Sequence, residues 1–272
     1  MFDSHVHYDH KRFDRGRDEL LQNMHENGLE FCLNAAIGFD SNERMMKLLE
    51  KYPWIYFAVG IHPNAVEESA ENDDVYTESI YTWTKMERVK AIGETGLDYY
   101  RLEQFENQDP TIDLENKKER QKEWFRKSLS IAKDTGLPLV LHVRGEVHRE
   151  ALQILDTYKF EGMRGVVHCF HGDINLANEY IRRGFLIGIG GMVTRPGMEE
   201  LKEAVKEIPL EKILLETDSP FVRPEGVQGK RNTSESLNVI AEEIARIKGE
   251  EDEQIGKRLS ENAKIVFGIS IV

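Results

Sequence analysis

Short runs rich in Val, Ile, Leu and Phe recur along this 272-residue chain, and stretches of helical period separate them. Parallel strands are covered on both faces, so they read as near-continuous apolar runs, and each needs a long crossover to reach the next. The runs expected as strands are residues 2–6, 30–36, 55–60, 89–95, 138–143, 165–170, 185–190 and 212–218. Eight such strands close a barrel, and about 250 residues are enough for one. The expected architecture is an α/β chain of (β/α)8 TIM-barrel type, with residues 1–272 forming a single domain.

The intervening stretches carry helix signals. Leu20, Leu21 and Met24 share a face that stops before Gly28, and Asp40 with Glu43 resembles a capping pair ahead of Met45, Met46, Leu48 and Leu49. Helical patterns also span residues 117–135, 151–158, 176–183, 198–207 and 237–248. Residues 102–115 are polar, contain Asp109-Pro110 and read as an exposed loop after the fourth strand. Two acid-rich runs, residues 67–74 and 250–253, read as solvated surface.

No apolar run approaches the roughly 18 residues of a membrane span, and no signal segment precedes the first strand, so a cytoplasmic protein without membrane or obligatory protein partner is expected. Cys32 and Cys169 stand far apart, which argues against a thiolate zinc site or a disulfide framework and leaves them as packing residues. A formal charge of -13 disfavours a broad basic surface for long duplex nucleic acid. A phosphate substrate stays compatible, because bound divalent cations would dominate the local field.

His5 and His7 end the first strand at positions i and i+2, which project to one side. Glu94 ends the fourth apolar run between two glycines, His142 the fifth, His168 the sixth and Asp218 the eighth. Each alone reads equally well as a satisfied histidine or an ion-paired carboxylate. Strand ends of a barrel converge on one mouth, however, and there this set would be a nitrogen-and-oxygen cradle. Such donors suit two divalent ions, zinc, manganese or magnesium, with Glu94 shared between them.

The segments Asp3-Ser4-His5-Val6-His7, Gly60-Ile61-His62-Pro63, Gly93-Glu94-Thr95-Gly96-Leu97-Asp98-Tyr99-Tyr100, Leu141-His142-Val143-Arg144, His168-Cys169-Phe170-His171-Gly172, Thr217-Asp218-Ser219-Pro220 and Asn262-Ala263 occur in that order. In these the chain resembles the TatD-related metal-dependent hydrolases, described as deoxyribonucleases, of the amidohydrolase superfamily. The resemblance implies hydrolysis of phosphodiester bonds in DNA, most readily at single-stranded ends, by water ionised between two metals. It assigns His5, His7 and Asp218 to one ion, His142 and His168 to the other and Glu94 to both. Asp218 would also accept the nucleophile's proton, making Asp218 and Glu94 the catalytic pair. A glutamate bridge marks this branch, since many ring-opening relatives use a carboxylated lysine.

Further candidates surround that set. His62 points to a substrate phosphate or to a loop hydrogen bond, and Arg144 to a phosphate clamp or to an ion pair with Glu146 or Asp98. Arg223, Lys230, Arg231 and Asn232 follow the eighth strand, where barrels often hold phosphate, or are plain surface. His171 replaces the small hydroxyl residue frequent in the family and adds an imidazole for substrate. Asp98 and Arg195 are candidates to orient ligands, and Tyr99 and Tyr100 are a stacking platform or packing. The family's proline after the Lys230-Arg231-Asn232-Thr233 segment is missing, and the stretch 102–115 is longer than usual. Two rival functions share the metals: hydrolysis of an ester such as D-aminoacyl-tRNA, or of an amide or lactone, and a non-catalytic metal-binding barrel.

Overall fold

The computed structural model describes residues 1–69, 72–106 and 113–269. Strands β1 (Phe2–Val6), β2 (Phe31–Ala35), β3 (Ile55–Val59), β4 (Val89–Asp98), β5 (Leu139–Arg144), β6 (Gly165–Val167), β7 (Phe185–Ile189) and β8 (Ile213–Leu215) pair in parallel, in chain order, as one eight-stranded sheet. The sheet closes on itself. The Asp218 amide donates to the His5 carbonyl at 2.9 Å, and the His7 amide to the Ser219 carbonyl at 2.7 Å. Helices α1 (Arg17–Glu26), α2 (Phe39–Lys51), α3 (Asp73–Trp83), α4 (Tyr99–Glu106), α5 (Leu114–Thr135), α6 (His148–Thr157), α7 (Ile174–Ile181), α8 (Glu199–Glu207), α9 (Leu237–Lys248) and α10 (Asp252–Phe267) complete the (β/α)8 barrel.

Phe2, Leu33, Ala58, Ala91, Val140, Val166 and Leu214, drawn from strands around the sheet, form one buried cluster, and Ala263, Val266, Phe267 and Ile269 join it from the end of α10 and just beyond. The Phe2 and Phe267 rings stack at 6.2 Å. Because Phe2 opens β1, the end of α10 stoppers the N-terminal end of the barrel. Chemistry is left the opposite mouth, where the connections after each strand gather. The outward strand faces, with Cys32, Phe57, Ile92, Leu141, Ile187 and Leu215, pack beneath the helices in a second cluster.

Several boundaries differ from the expected ones. The pairing of β6 stops at Val167 and that of β8 at Leu215, so His168 and Asp218 lie just past their strands, whereas β4 continues to Asp98. Asp40 does not cap α2; the N-cap is Gly38, and Asp40 lies in the first turn. Of the expected loop 102–115, residues 102–106 belong to α4 and 114–115 to α5, because Leu102 is a buried residue of a short amphipathic helix; residues 107–112 lie outside the described residues. In the first acidic run Asp73 is not free surface: it pairs with Arg120 at 2.8 Å and Lys127 at 2.6 Å, tying α3 to α5. Both cysteines are free, and among the described residues no helix is long and apolar enough to cross a membrane.

Candidate metal centre

Side chains alternate along a strand, so the inward face of β5 continues from Val140 to His142, that of β6 from Val166 to His168, and that of β8 from Leu214 through Glu216 to Asp218. Strict alternation from the inward Phe2 and Ala91 would instead turn His5 and Glu94 towards the helices. Both strands break register there, between Asp3 and Val6 in β1 and between Ile92 and Thr95 in β4, and both side chains enter the cluster. Such irregularities re-aim side chains beside functional sites. Gly93 allows the one in β4: its φ is 154°, and a Cβ there would meet the Val140 carbonyl oxygen at 2.7 Å.

Asp218 itself adopts a left-handed backbone, with φ 54°. For a non-glycine residue this costs roughly 1–3 kcal/mol and survives only where its surroundings enforce it. Here Asp3 accepts from the Thr217 amide at 3.0 Å and the Thr217 hydroxyl at 2.7 Å, and Asn232 Nδ2 donates to the Thr217 carbonyl at 2.8 Å. Asp3 is wholly buried, which raises its pKa to about 6 despite these bonds.

Glu94 divides the cluster. Its Oε2 lies 3.3 Å from His5 Nε2 and 3.5 Å from His7 Nε2, and Asp218 Oδ1 completes that side 3.2 Å from His7 Nε2. Its Oε1 lies 2.9 Å from His142 Nδ1 and 2.7 Å from His168 Nε2. Ligands at zinc distances of about 2.0–2.2 Å stand roughly 3.3–3.6 Å apart in a tetrahedron, close to the spacing on the Oε2 side. Glu94 Oε2 is also buried without any hydrogen-bond partner, an orphan that a cation would satisfy. The donors on the Oε2 side therefore fit a divalent metal, and Glu94, His142 and His168 form a second group whose ligand atoms lie within reach of one ion.

Second partners orient the imidazoles. His7 Nδ1 donates to the Ala35 carbonyl at 2.8 Å, which leaves the Nε2 lone pair facing Glu94 and Asp218. His142 Nε2 donates to Asp98 Oδ2 at 3.2 Å, leaving Nδ1 for the Glu94 side. His62, Asp98 and His142 also come within ligand range of one another. There, however, His62 Nδ1 accepts from the Asn64 amide at 3.0 Å, so its Nε2 carries the proton, as does His142 Nε2. That trio reads as a hydrogen-bonded flank, not as a further cation site.

Burial lowers the pKa of His5 to about 4 and, with the charge of His142, that of His62 to about 3. Burial opposes protonation of His7 and His142 as well, but Asp218 and Glu94 for the first, and Asp98 and Glu94 for the second, raise both to about 9. Burial would raise Glu94 and Asp218, yet the surrounding histidines hold both below their usual values. Glu216 is the exception: buried without a cation nearby, its carboxyl is pushed well above the usual range. It accepts from the Cys169 amide at 2.5 Å and stands 3.8 Å from His168 Nδ1. Sequence reading missed Glu216, although its place between Leu214 and Asp218 at period two marked it as inward.

The remaining candidates spread around the mouth. His62 Nε2 lies 3.5 Å from Glu94 Oε1. The exposed Arg144 sits over the exposed ring of Tyr100 at 4.5 Å, and among the described residues it pairs with neither Glu146 nor Asp98. Tyr99 is buried packing whose hydroxyl donates to Glu150. His171 is exposed and uses Nδ1 on the Cys169 carbonyl at 2.5 Å, leaving Nε2 open. Arg231 donates to the Arg12 carbonyl at 2.6 Å, and the buried Asn232 has both amide ends engaged, by Thr217 and Ser236. Arg195 holds the Arg223 carbonyl at 2.9 Å, and among the described residues it makes no hydrogen bond to a candidate ligand.

The family model described as TatD related DNase matches residues 2–268. The chain belongs to the TatD-related DNase family. It is thus a metal-dependent hydrolase, with buried His, Glu and Asp clusters able to bind metal. It is 34% identical over 272 residues to the uncharacterized metal-dependent hydrolase YabD of Bacillus subtilis, covering 99% of this chain and 100% of that one. Identity is 30% over 277 residues to the 3'-5' ssDNA/RNA exonuclease TatD of Citrobacter rodentium, covering 100% of this chain and 99% of the other. The crystal structure of YjjV, a TatD homologue from Escherichia coli, superposes with a TM-score of 0.85 at 27% identity, covering 99% of this chain and 98% of that one.

Proposed function

We propose that this TatD-family protein is a cytoplasmic phosphodiesterase that shortens single-stranded nucleic acid, DNA foremost, from an accessible end, using two divalent ions. The observation that supports it best is the division of Glu94, one oxygen facing His5 and His7 and the other facing His142 and His168. His5, His7, Asp218 and Glu94 would hold one ion, and His142, His168 and Glu94 the other. Bound there, zinc, manganese or magnesium supplies Lewis acidity and lowers the pKa of water from about 15.7 towards roughly 7.

The protein's own side chains do the rest. Asp218, whose carboxyl burial would raise but the surrounding histidines hold below its usual value, takes the proton of the attacking water on its carboxylate. Neutral His62 presents an Nε2–H to a phosphoryl oxygen, and Arg144, propped on Tyr100, grips the phosphate. His171 Nε2, on the connection after β6 beside Arg144, is open to the substrate as well. The Citrobacter relative, a 3'-5' ssDNA/RNA exonuclease, supports the choice of single-stranded substrate.

Purified protein should degrade single-stranded DNA in a chelator-sensitive way, and Asp218→Asn should retain the fold by circular dichroism while losing most turnover. Full activity in that variant defeats the assignment. A substrate panel that includes RNA, charged tRNA, esters and lactones decides the bond: deacylation of charged tRNA, or cleavage of an ester or lactone, without hydrolysis of DNA or RNA transfers the site to the rival reading.

A further inference from the structure

Two connections on the mouth side are adjacent because β1 and β8 are neighbours: the one between β1 and α1, and the one between β8 and α9. Each brings basic residues. Arg12, from the first, and Lys230 and Arg231, from the second, line one open basin of about 590 Å³. Among the described residues no carboxylate forms an ion pair with any of the three. The acid nearest in sequence on the first connection, Asp14, is already held by Arg17 at 2.6 Å and Arg44 at 2.9 Å, and Asp9 is buried against Asn34 and Ser41. In a chain of net charge -13 this is a local reversal of sign.

The basin is tied to the metal centre through a single ring. Phe221 follows Asp218, and its ring meets the ring of His7 edge-on at 5.8 Å and that of His10 at 5.4 Å. The Arg12 guanidinium lies over the same ring at 5.4 Å. Arg231 fastens the two connections together, donating to the carbonyls of Arg12 and Arg15 while its guanidinium rests on Phe13 at 4.7 Å. Arg12 and Lys230 are exposed. The arrangement is a group of cations around one basin on the mouth side, with Arg12 one aromatic ring from His7.

We infer that this basin is an anion track that seats the phosphates flanking the scissile bond of a single-stranded substrate. The inference rests on the phosphodiesterase reading above for what lies at the metals. A small ester or lactone has no use for cations at this distance, whereas a strand held at the metals must continue past one rim. The β8–β1 rim is where the unpaired positive charge stands, and its cations neutralise backbone phosphates without reading bases.

Direct binding tests the track apart from turnover. In an Asp218→Asn background that prevents cleavage, anisotropy of a fluorescein-labelled ten-nucleotide single strand is measured against salt for the full chain, with and without Arg12→Ala or Lys230→Ala. Each alanine should weaken binding severalfold and reduce the log–log salt slope by about 0.7, the value per phosphate contact on a single strand. When Arg12→Ala or Lys230→Ala is made in the otherwise wild-type chain, the ratio of kcat/KM for the ten-nucleotide strand to that for a dinucleotide should fall as well. Unchanged slope and affinity in both variants overturn the track, even if DNA is cleaved. A slope that falls in the variants while no nucleic acid is cleaved under any metal leaves the track standing and removes the phosphodiesterase reading.

Discussion

Replacing Asp98 by Asn isolates one half of the proposed centre. Asp98 Oδ2 faces His142 Nε2 at 3.2 Å and accepts from Asn64 Nδ2 at 2.8 Å, while Oδ1 accepts from the Arg101 amide at 3.0 Å. Held from three directions, the carboxylate keeps the proton on Nε2 and points Nδ1 at Glu94 Oε1 and His168 Nε2, 2.9 Å from each. Its partnership with His142 holds its own pKa down to about 2, so it is charged throughout the working range. Loss of such an outer partner costs about 10–100-fold in metal affinity, or roughly 1.4–2.7 kcal/mol. Zinc titration against a chromophoric chelator should therefore show one of the two ions weakened by that factor. The ion shared by His5, His7 and Asp218 should keep its affinity, since Asp98 touches none of them. Wild-type affinity for both ions, or earlier loss of the ion on the His5 side, would show that Asp98 does not orient His142 for metal.

Two other perturbations follow from the same charges. His7 and His142 both have pKa values raised to about 9, and metal requires the neutral imidazole, so protons compete below that pH. Metal affinity should climb from pH 6 to about 9 and then level off in chelator competition; a flat profile contradicts this. Asp73 behaves oppositely: burial opposes its charge, but Arg120 and Lys127 lower its pKa from 3.8 to about 2. A depressed carboxylate stabilises the fold above its unfolded pKa and loses that contribution as pH falls through the folded one. After solvent screening, Asp73→Asn should cost about 1 kcal/mol at neutral pH. In urea melts the difference from wild type should shrink between pH 4 and 2; a constant difference counts against the ion pair.

The barrel was legible because its strands are buried on both faces and so appear as separate apolar runs, and because their polar ends recur at the same place in each unit. What escaped was set by tertiary packing. The acidic run at 250–253 hid the start of α10, whose apolar Val266 and Phe267 make sense only beneath the barrel, against Phe2. The weakly patterned helices α3 and α4 likewise gave no clear period. In the site, the i and i+2 spacing of His5 and His7 was readable, but the register breaks that turn His5 and Glu94 inward were not, since they depend on pairing with β2 and β5. Glu216 was overlooked because a carboxylate in an apolar run suggests an ion pair, whereas here burial and the neighbouring carboxylates push its carboxyl well above the usual range, 3.8 Å from His168 Nδ1.

Glu94 is proposed to be shared between two cations. Anomalous scattering, collected at the absorption edges of the bound metals from crystals of the protein, measures this directly. Two peaks are expected, one against Glu94 Oε2 with His5, His7 and Asp218, the other against Glu94 Oε1 with His142 and His168. A single peak, or two peaks with Glu94 in contact with only one, contradicts the sharing.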